Sequence, residues 1–246
     1  MDFIKYHVCG SDYIITSDAR AEGNICGICD RRTGIGGAGL AIVSENPFKI
    51  RMFRASGEEV TVDASMAICA AAFFFEKNKI PRIGMISRGG VIEAELLCDR
   101  SICVKLMYAE RDNTGARRAD IGHDVEYERT TFYGARRIVC FTDDIYRAML
   151  FGVGERMSEY RSYRAFADVD LVSKRNDGSY YIRSYERGAN YLNSMSGAVC
   201  IASVLRARGY DDIRLSVDCG KIKLLCGDDS VALSAMACKV MEGKTI

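Results

Sequence analysis

The chain has little of what marks a binder of polyanions, membranes or metals. It carries 34 Lys and Arg against 33 Asp and Glu, a net charge of +1. No basic block stands out, so the electrostatic footprint of a nucleic-acid or membrane-surface protein is missing. No apolar run approaches the ~20 residues that a membrane span needs. The longest candidate, Met66 to Phe75, reads as a buried helix. The opening Met1-Asp2-Phe3-Ile4 lacks a charged-then-apolar signal pattern, which sets the expectation of a cytoplasmic location. Two histidines are too few for most histidine-based catalysis. A lone CxxC, Cys26-Gly27-Ile28-Cys29, has no second pair to complete a zinc site. No thioredoxin-like strand precedes it.

What is present is an ordinary globular composition, 48% hydrophobic and 27% charged. At 246 residues the chain is one large domain or two small ones. Its 11 cysteines, an odd number scattered through apolar segments, read as reduced thiols. Most are expected as small core residues.

The chain contains a faint internal repeat. Asp63 to Lys77 reads as an alanine-rich, largely apolar helix. Ile83 to Ser87 reads as a strand, Arg88-Gly89-Gly90 as a turn and Val91 to Leu97 as a returning strand, followed by Ile102 to Met107. The second half repeats this order. Ser196 to Arg208 reads as a helix, Ile213 to Val217 and Lys221 to Leu225 as strands about a turn at Asp218 to Gly220, and Ser230 to Met236 as a third strand. The spacing from Cys69 to Gly90 nearly equals that from Cys200 to Gly220. Two matching helix-plus-meander units argue for duplication and two similarly built α+β lobes. The polar stretch from Ala109 to Gly122 is expected as the linker.

Tyr185-Glu186-Arg187-Gly188-Ala189, followed by Ser194-Met195-Ser196-Gly197-Ala198-Val199-Cys200, resembles the second active-site motif of the diaminopimelate epimerase family. Lys5 to Tyr13 is similar to that family's opening motif, Phe53 to Val60 to its FNADGSEV segment, and Gly134 with Val139 to Asp144 to its middle segment. The resemblance implies an α+β fold of two pseudo-symmetric lobes, each a sheet wrapped on a central helix, with a cleft between them. The lobes would be 1–108, joined by the tail 237–246, and 113–236.

The family is implied to use no cofactor, pyridoxal phosphate included. Two cysteines on opposite faces of the substrate would invert an amino-acid α-carbon, one removing a proton and the other delivering one. The α-carboxylate would sit at two helix N-termini, whose N–H groups and dipoles favour an anion. In this chain the two cysteine positions fall at Asp63 and Met195. The residues at the helix starts stay small, Ala64 and Ser65 in one lobe, Ser196 and Gly197 in the other, and Glu186 and Arg187 are kept. Ser11, Arg54, Ala135 and Asp168 stand where the family would have asparagine, Gly39 where it would have glutamine, and Arg137 in place of the middle-motif histidine. A pocket so altered is not expected to hold diaminopimelate.

Asp63 has two readings. A free aspartate titrates at ~3.9 against ~8.5 for a thiol, so as a base it starts ~6 kcal/mol worse. Burial would raise it, and a helix N-terminus would lower it. Aspartate is also a favoured helix cap, worth ~1 kcal/mol. Met195 reads as an apolar plug that closes the two-base route and leaves one-face chemistry open. The phenazine-biosynthesis isomerases of the same superfamily lack the cysteines and work with a carboxylate.

Other features carry less. Gly34-Ile35-Gly36-Gly37-Ala38-Gly39 satisfies GxGxxG, but it follows a helical-looking Cys-Asp-Arg-Arg stretch and leads into a strand, the reverse of a dinucleotide fingerprint. His7 is expected to hold a buried hydrogen bond rather than do acid–base work, and His123 to face solvent. Arg136-Arg137 is a basic pair fit for a carboxylate or for a solvated or dimer face. Tyr191 is expected to fill the cleft or donate a hydrogen bond, and Cys69 and Cys200 to be packed thiols.

The sequence therefore leads to an isomerase-like protein acting on an amino-acid-like carboxylate, with Asp63 as candidate base. The alternative is a catalytically silent homologue that binds a ligand or regulates a partner, as a homodimer or paired with an active paralogue. No metal, nucleic-acid or membrane partner is expected.

Overall fold

The computed structural model describes residues 1–246 except 113, 123, 161–165, 187–189, 219 and 246. Arg187 and His123 thus lie outside the described residues. The chain divides into two compact units, Met1–Leu106 with Ala232–Ile246, and Met107–Val231.

The first unit runs β1 (Asp2–Val8), β2 (Ser11–Thr16), α1 (Ile25–Cys29), β3 (Gly39–Ser44), β4 (Lys49–Arg54), β5 (Glu59–Val60), α2 (Ala64–Asn78), β6 (Arg82–Ser87), β7 (Gly90–Leu96) and β8 (Ile102–Met107). The second runs β9 (Glu110–Arg111), β10 (Arg117–Asp120), β11 (Asp124–Phe132), β12 (Ala135–Phe141), α3 (Ile145–Leu150), α4 (Val153–Ser158), β13 (Asp168–Lys174), β14 (Tyr180–Glu186), β15 (Asn190–Leu192), α5 (Met195–Ala207), β16 (Leu215–Val217) and β17 (Gly220–Cys226). After β18 (Ser230–Ala235), β19 (Ala237–Lys244) returns to pair antiparallel with β1.

The two units share one strand plan. In the first, β1 and β2 form a hairpin, β2 runs parallel to β3, β3 is antiparallel to β4, and β4 pairs antiparallel with β5 and parallel with β6. In the second, β11 and β12 form the hairpin, β12 runs parallel to β13, β13 is antiparallel to β14, and β14 pairs antiparallel with β15 and parallel with β16. Even the hairpin turns match. Cys9 and Gly10 have φ of 52° and 86°, Tyr133 and Gly134 of 48° and 85°. Two successive left-handed residues suit the tight turn whose twist matches the flanking strands. The fold is α+β and pseudo-symmetric.

Each unit wraps its sheet on one central helix. α2 lies against β1, β2, β3 and β7, and α5 against β11, β12, β13 and β14. Both helices are apolar nearly all round, as a helix enclosed on every side must be. Ala64 to Ala71 are buried without a break, and so are Met195 to Leu205. Alanine, serine and glycine on these helices let the strands approach closely. No described helix is long and apolar enough to cross a membrane.

Two local expectations are corrected. The polar stretch Ala109 to Gly122 carries β9 and β10, which pair with β11, because its backbone completes a sheet edge that polar side chains leave open to water. Cys-Asp-Arg-Arg is not helical: α1 ends at Cys29, and Asp30 turns out with its carboxylate accepting the Arg32 and Thr33 amide hydrogens. That local bond competes with helix continuation.

Candidate functional site

In the first unit the chain enters α2 through Asp63. Its backbone is extended (φ −122°, ψ 120°), and its carboxylate Oδ1 accepts the Met66 amide hydrogen at 2.8 Å. Asp63 is therefore the N-cap of the helix, half-buried, with its own amide directed at Met52 Sδ at 3.3 Å. Ala64 and Ser65 form the first turn and are buried. Ser11 is buried at the start of β2. Arg54 ends β4, half-buried, with Nε 3.9 Å from Glu58. Both strands pack on α2. Cys69, a turn and a half along the helix, is fully enclosed, and burial raises its thiol well above the ordinary range.

In the second unit Ser194 caps α5, its Oγ accepting the Gly197 amide hydrogen at 3.2 Å. Asp63 bonds the amide three residues on and precedes a buried cysteine by six. Ser194 does the same with Gly197 and Cys200. Ser194 thus caps α5 as Asp63 caps α2. Met195 is the first helical residue, with no exposed surface.

The start of α5 is built around a buried cation. Arg137, on β12, is 2% exposed. Its Nε and Nη2 donate to the two carboxylate oxygens of Asp170, at 2.9 and 2.8 Å. Nη1 donates to Asp168 at 3.2 Å and to Glu186 Oε1 at 3.1 Å. Nη2 also reaches Glu186 Oε1 at 3.1 Å and Ser194 Oγ at 3.3 Å. Ser184 Oγ donates to Asp170 at 2.6 Å. Burial works against the guanidinium charge, but the charges of Asp170, Glu186 and Asp168 outweigh it and hold Arg137 protonated.

This network explains Gly197. A Cβ there would lie 2.2 Å from Asp170 Oδ1 and 2.4 Å from Ser184 Oγ. The protein's own Asp170 carboxylate thus lies against the first turn of α5, a place that suits an anion. Ser196, Asp168 and Glu186 are buried around it. Through the shared register, Arg137 pairs with Asp168 where Tyr13 pairs with Gly39, so the charged cluster has no copy in the first unit.

The sequence groups Asp168, Glu186, Ser196 and Gly197 with Ser11, Arg54, Ala64, Ser65 and Arg187; in the structure Asp168 and Glu186 share Arg137, and Gly197 lies against Asp170. Sequence reasoning missed Asp170, Ser184 and Ser194. Their signal is alternation: Asp168 and Asp170 share one face of β13, and Ser184 and Glu186 share one face of β14. Tyr191 Oη accepts the Gly154 amide hydrogen at 3.0 Å. Asn193 is buried, with Oδ1 accepting from Arg183 at 3.1 Å. His7 Nδ1 accepts the Gly10 amide hydrogen at 3.2 Å inside the first hairpin. Cys200 is enclosed, and burial pushes its thiol up to about 12.

Among the described residues no group of His, Cys, Asp and Glu is placed to hold a metal ion. A cavity of about 770 Å³ opens elsewhere in the second unit, beside α3 and α4, lined by Asp144, Arg147, Phe151 and Arg156 among others. It contains none of the residues above.

No family model matches the chain. Curated relatives do. The diaminopimelate epimerase of Azotobacter vinelandii is 25% identical over 98% of this chain and 98% of its own length. That of Elusimicrobium minutum is 26% identical over 99% and 98%. Among solved structures, a probable proline racemase from Agrobacterium radiobacter K84 with bound carbonate superimposes with a TM-score of 0.76 at 11% identity, covering 100% of this chain and 92% of that one. A phenazine biosynthesis protein from Bacillus anthracis gives 0.73 at 10% identity, covering 100% and 99%. The chain resembles diaminopimelate epimerases along its whole length, and its fold is that of the diaminopimelate epimerase-like superfamily.

Proposed function

We propose that this protein is an epimerase-like isomerase that moves a proton at the α-carbon of an amino-acid-like carboxylate without a cofactor, using Asp63 as a single base. The observation that carries this reading is a half-buried carboxylate at the N-cap of the first unit's central helix, where the family resemblance puts a catalytic thiol. Ala64 and Ser65 keep that helix start small. Ser11 and Arg54, on strands packed against α2, are the proposed ligand-recognising side chains. Arg54 suits a carboxylate through its guanidinium fork. The substrate is proposed to differ from diaminopimelate, because asparagine and glutamine positions of the family carry Ser11, Arg54, Asp168 and Gly39 here.

A second reading, a homologue that binds a ligand or a partner without turning it over, is favoured by one specific observation. The start of α5 is taken up by Arg137, Asp170 and Glu186 bonded to one another. Proton NMR of the protein with a panel of amino acids in heavy water separates the two. Loss of an α-proton signal supports the isomerase. Saturable binding with every α-proton retained supports the binding module.

A further inference from the structure

α1 is a single helical turn that holds two free thiols three residues apart. Their surroundings differ. Cys26 is exposed, and Cys29 is 3% exposed. Burial, with the nearby Cys26 thiol and the Asp12 charge, pushes the Cys29 thiol up to about 12. Positions three apart on a helix are neighbours, with Cβ atoms about 5–6 Å apart. A one-turn helix can tighten from there to the ~4 Å that a disulfide needs.

We propose that Cys26 and Cys29 are a reversible redox pair, with Cys26 attacking an alkyl or hydrogen peroxide and Cys29 resolving the product. With hydrogen peroxide, the Cys26 thiolate attacks one oxygen, the O–O bond breaks, and hydroxide leaves and takes up a proton as water. Cys26 is then a sulfenic acid. The Cys29 thiol gives up its proton as its sulfur attacks Cys26, the S–O bond breaks, and the oxygen leaves as a second water. Two thiols are oxidised to one disulfide and the peroxide is reduced to water. A dithiol reductant reverses the change. Exposure selects Cys26 for the first step, because only an accessible thiolate meets the oxidant.

The helix is mechanically joined to the loop that leads into β3. The Ile35 and Gly36 amides donate to Ile28 O at 2.9 and 3.1 Å, and the Gly37 amide to Cys29 O at 3.1 Å. Gly34 packs so close that a Cβ would lie 2.0 Å from Gly27 O. The next amide, Ala38, donates to Asp12 O at 2.7 Å. Tightening α1 is therefore expected to reach the loop 34–38 and Asp12. This proposal is independent of the isomerase reading.

The test uses the full chain. Cleavage after Arg20 and Arg31 releases the peptide 21–31, in which Cys26 and Cys29 are the only cysteines. After brief treatment with hydrogen peroxide and blocking of free thiols, that peptide is expected unblocked and lighter by two hydrogens, and blocked at both cysteines after a dithiol reductant. Hydrogen exchange at the Ile35, Gly36 and Gly37 amides should change with oxidation. Cys29→Ser should leave Cys26 as a sulfenic acid that a cyclic-dione probe captures, and Cys29→Ala gives the same readout should serine disturb the core. Exposed Cys98 and Cys238, with no cysteine within three residues of either, are the internal controls. A wild-type peptide 21–31 that stays fully blocked, or that oxidises no faster than Cys98 and Cys238, overturns the proposal.

Discussion

Arg137 holds Asp170 by two parallel hydrogen bonds of 2.9 and 2.8 Å, and Asp170 has no exposed surface at all. The pair joins β12 to β13. Through Glu186 and Ser194 the same guanidinium reaches the end of β14 and the cap of α5. Removing one member of such a pair strands buried charge, which costs about 3–5 kcal/mol. Arg137→Met is expected to lower stability to urea by that order, since it leaves Asp168, Asp170 and Glu186 without their shared cation. Arg137→Lys should not restore it, because a single ammonium cannot bridge both Asp170 oxygens while reaching Glu186. A lysine variant as stable as wild type would contradict the assignment.

Gly197 is expected to tolerate no side chain. A Cβ would fall 2.2 Å from Asp170 Oδ1, inside a network already fixed by Arg137 and Ser184. Overpacking of this kind costs about 1–3 kcal/mol. Gly197→Ala should therefore lower the thermal midpoint even though alanine is the better helix former.

Asp63 serves its helix whatever else it does. Asp63→Ala is expected to cost about 1 kcal/mol through loss of the bond from the Met66 amide, and Asp63→Asn only a small part of that, because asparagine caps equally well. Ser194→Ala should cost more than a cap alone, because the hydroxyl also receives Arg137 in a buried setting. Urea unfolding of the three variants checks the order.

Asp12 gives a pH signature. Burial raises its carboxyl, but hydrogen bonds and charges from Arg31 and Lys5 outweigh burial and hold it below the usual carboxylate range. Lys5 Nζ lies 2.8 Å away, and Arg31 donates at 3.0 and 2.5 Å. A carboxyl depressed in the folded state adds stability that is fully present above the unfolded value of ~3.9. That stability is lost as the pH falls through the folded value. The stability gap between wild type and Asp12→Asn is thus expected to stay level from pH 7 to about 4 and to shrink below it. A gap that begins to shrink near neutrality would contradict the assignment.

The central helices were legible in the sequence to within a residue or so, because Ala64 to Ala71 and Met195 to Leu205 are apolar all round and preceded by cap-forming residues. The duplication was legible from the spacing of Cys69 and Gly90 against Cys200 and Gly220. The buried role of Arg137 was not. In sequence, Arg136-Arg137 is only a basic pair, and strand alternation sends one arginine outward and the other among carboxylates from two other strands. Those carboxylates meet only when β12, β13 and β14 pair. Ser194 was hidden for a similar reason: motif spacing points to Met195, whereas the cap is chosen by backbone geometry, with φ −92° and ψ 123° at Ser194. The strands within Ala109 to Gly122 were obscured because β9 is two residues long and β10 gives the core one small apolar side chain, Ala119, among charged neighbours.

The most direct test of the central claim compares wild type with Asp63→Asn for exchange of amino-acid α-protons in heavy water. The substitution keeps the cap and removes the base, so folding and chemistry separate. The account predicts exchange by wild type, none by Asp63→Asn at nearly unchanged stability, and retention of chirality, since a single base serves one face of the α-carbon. Equal exchange by both proteins would show that Asp63 is a cap alone and would contradict the account.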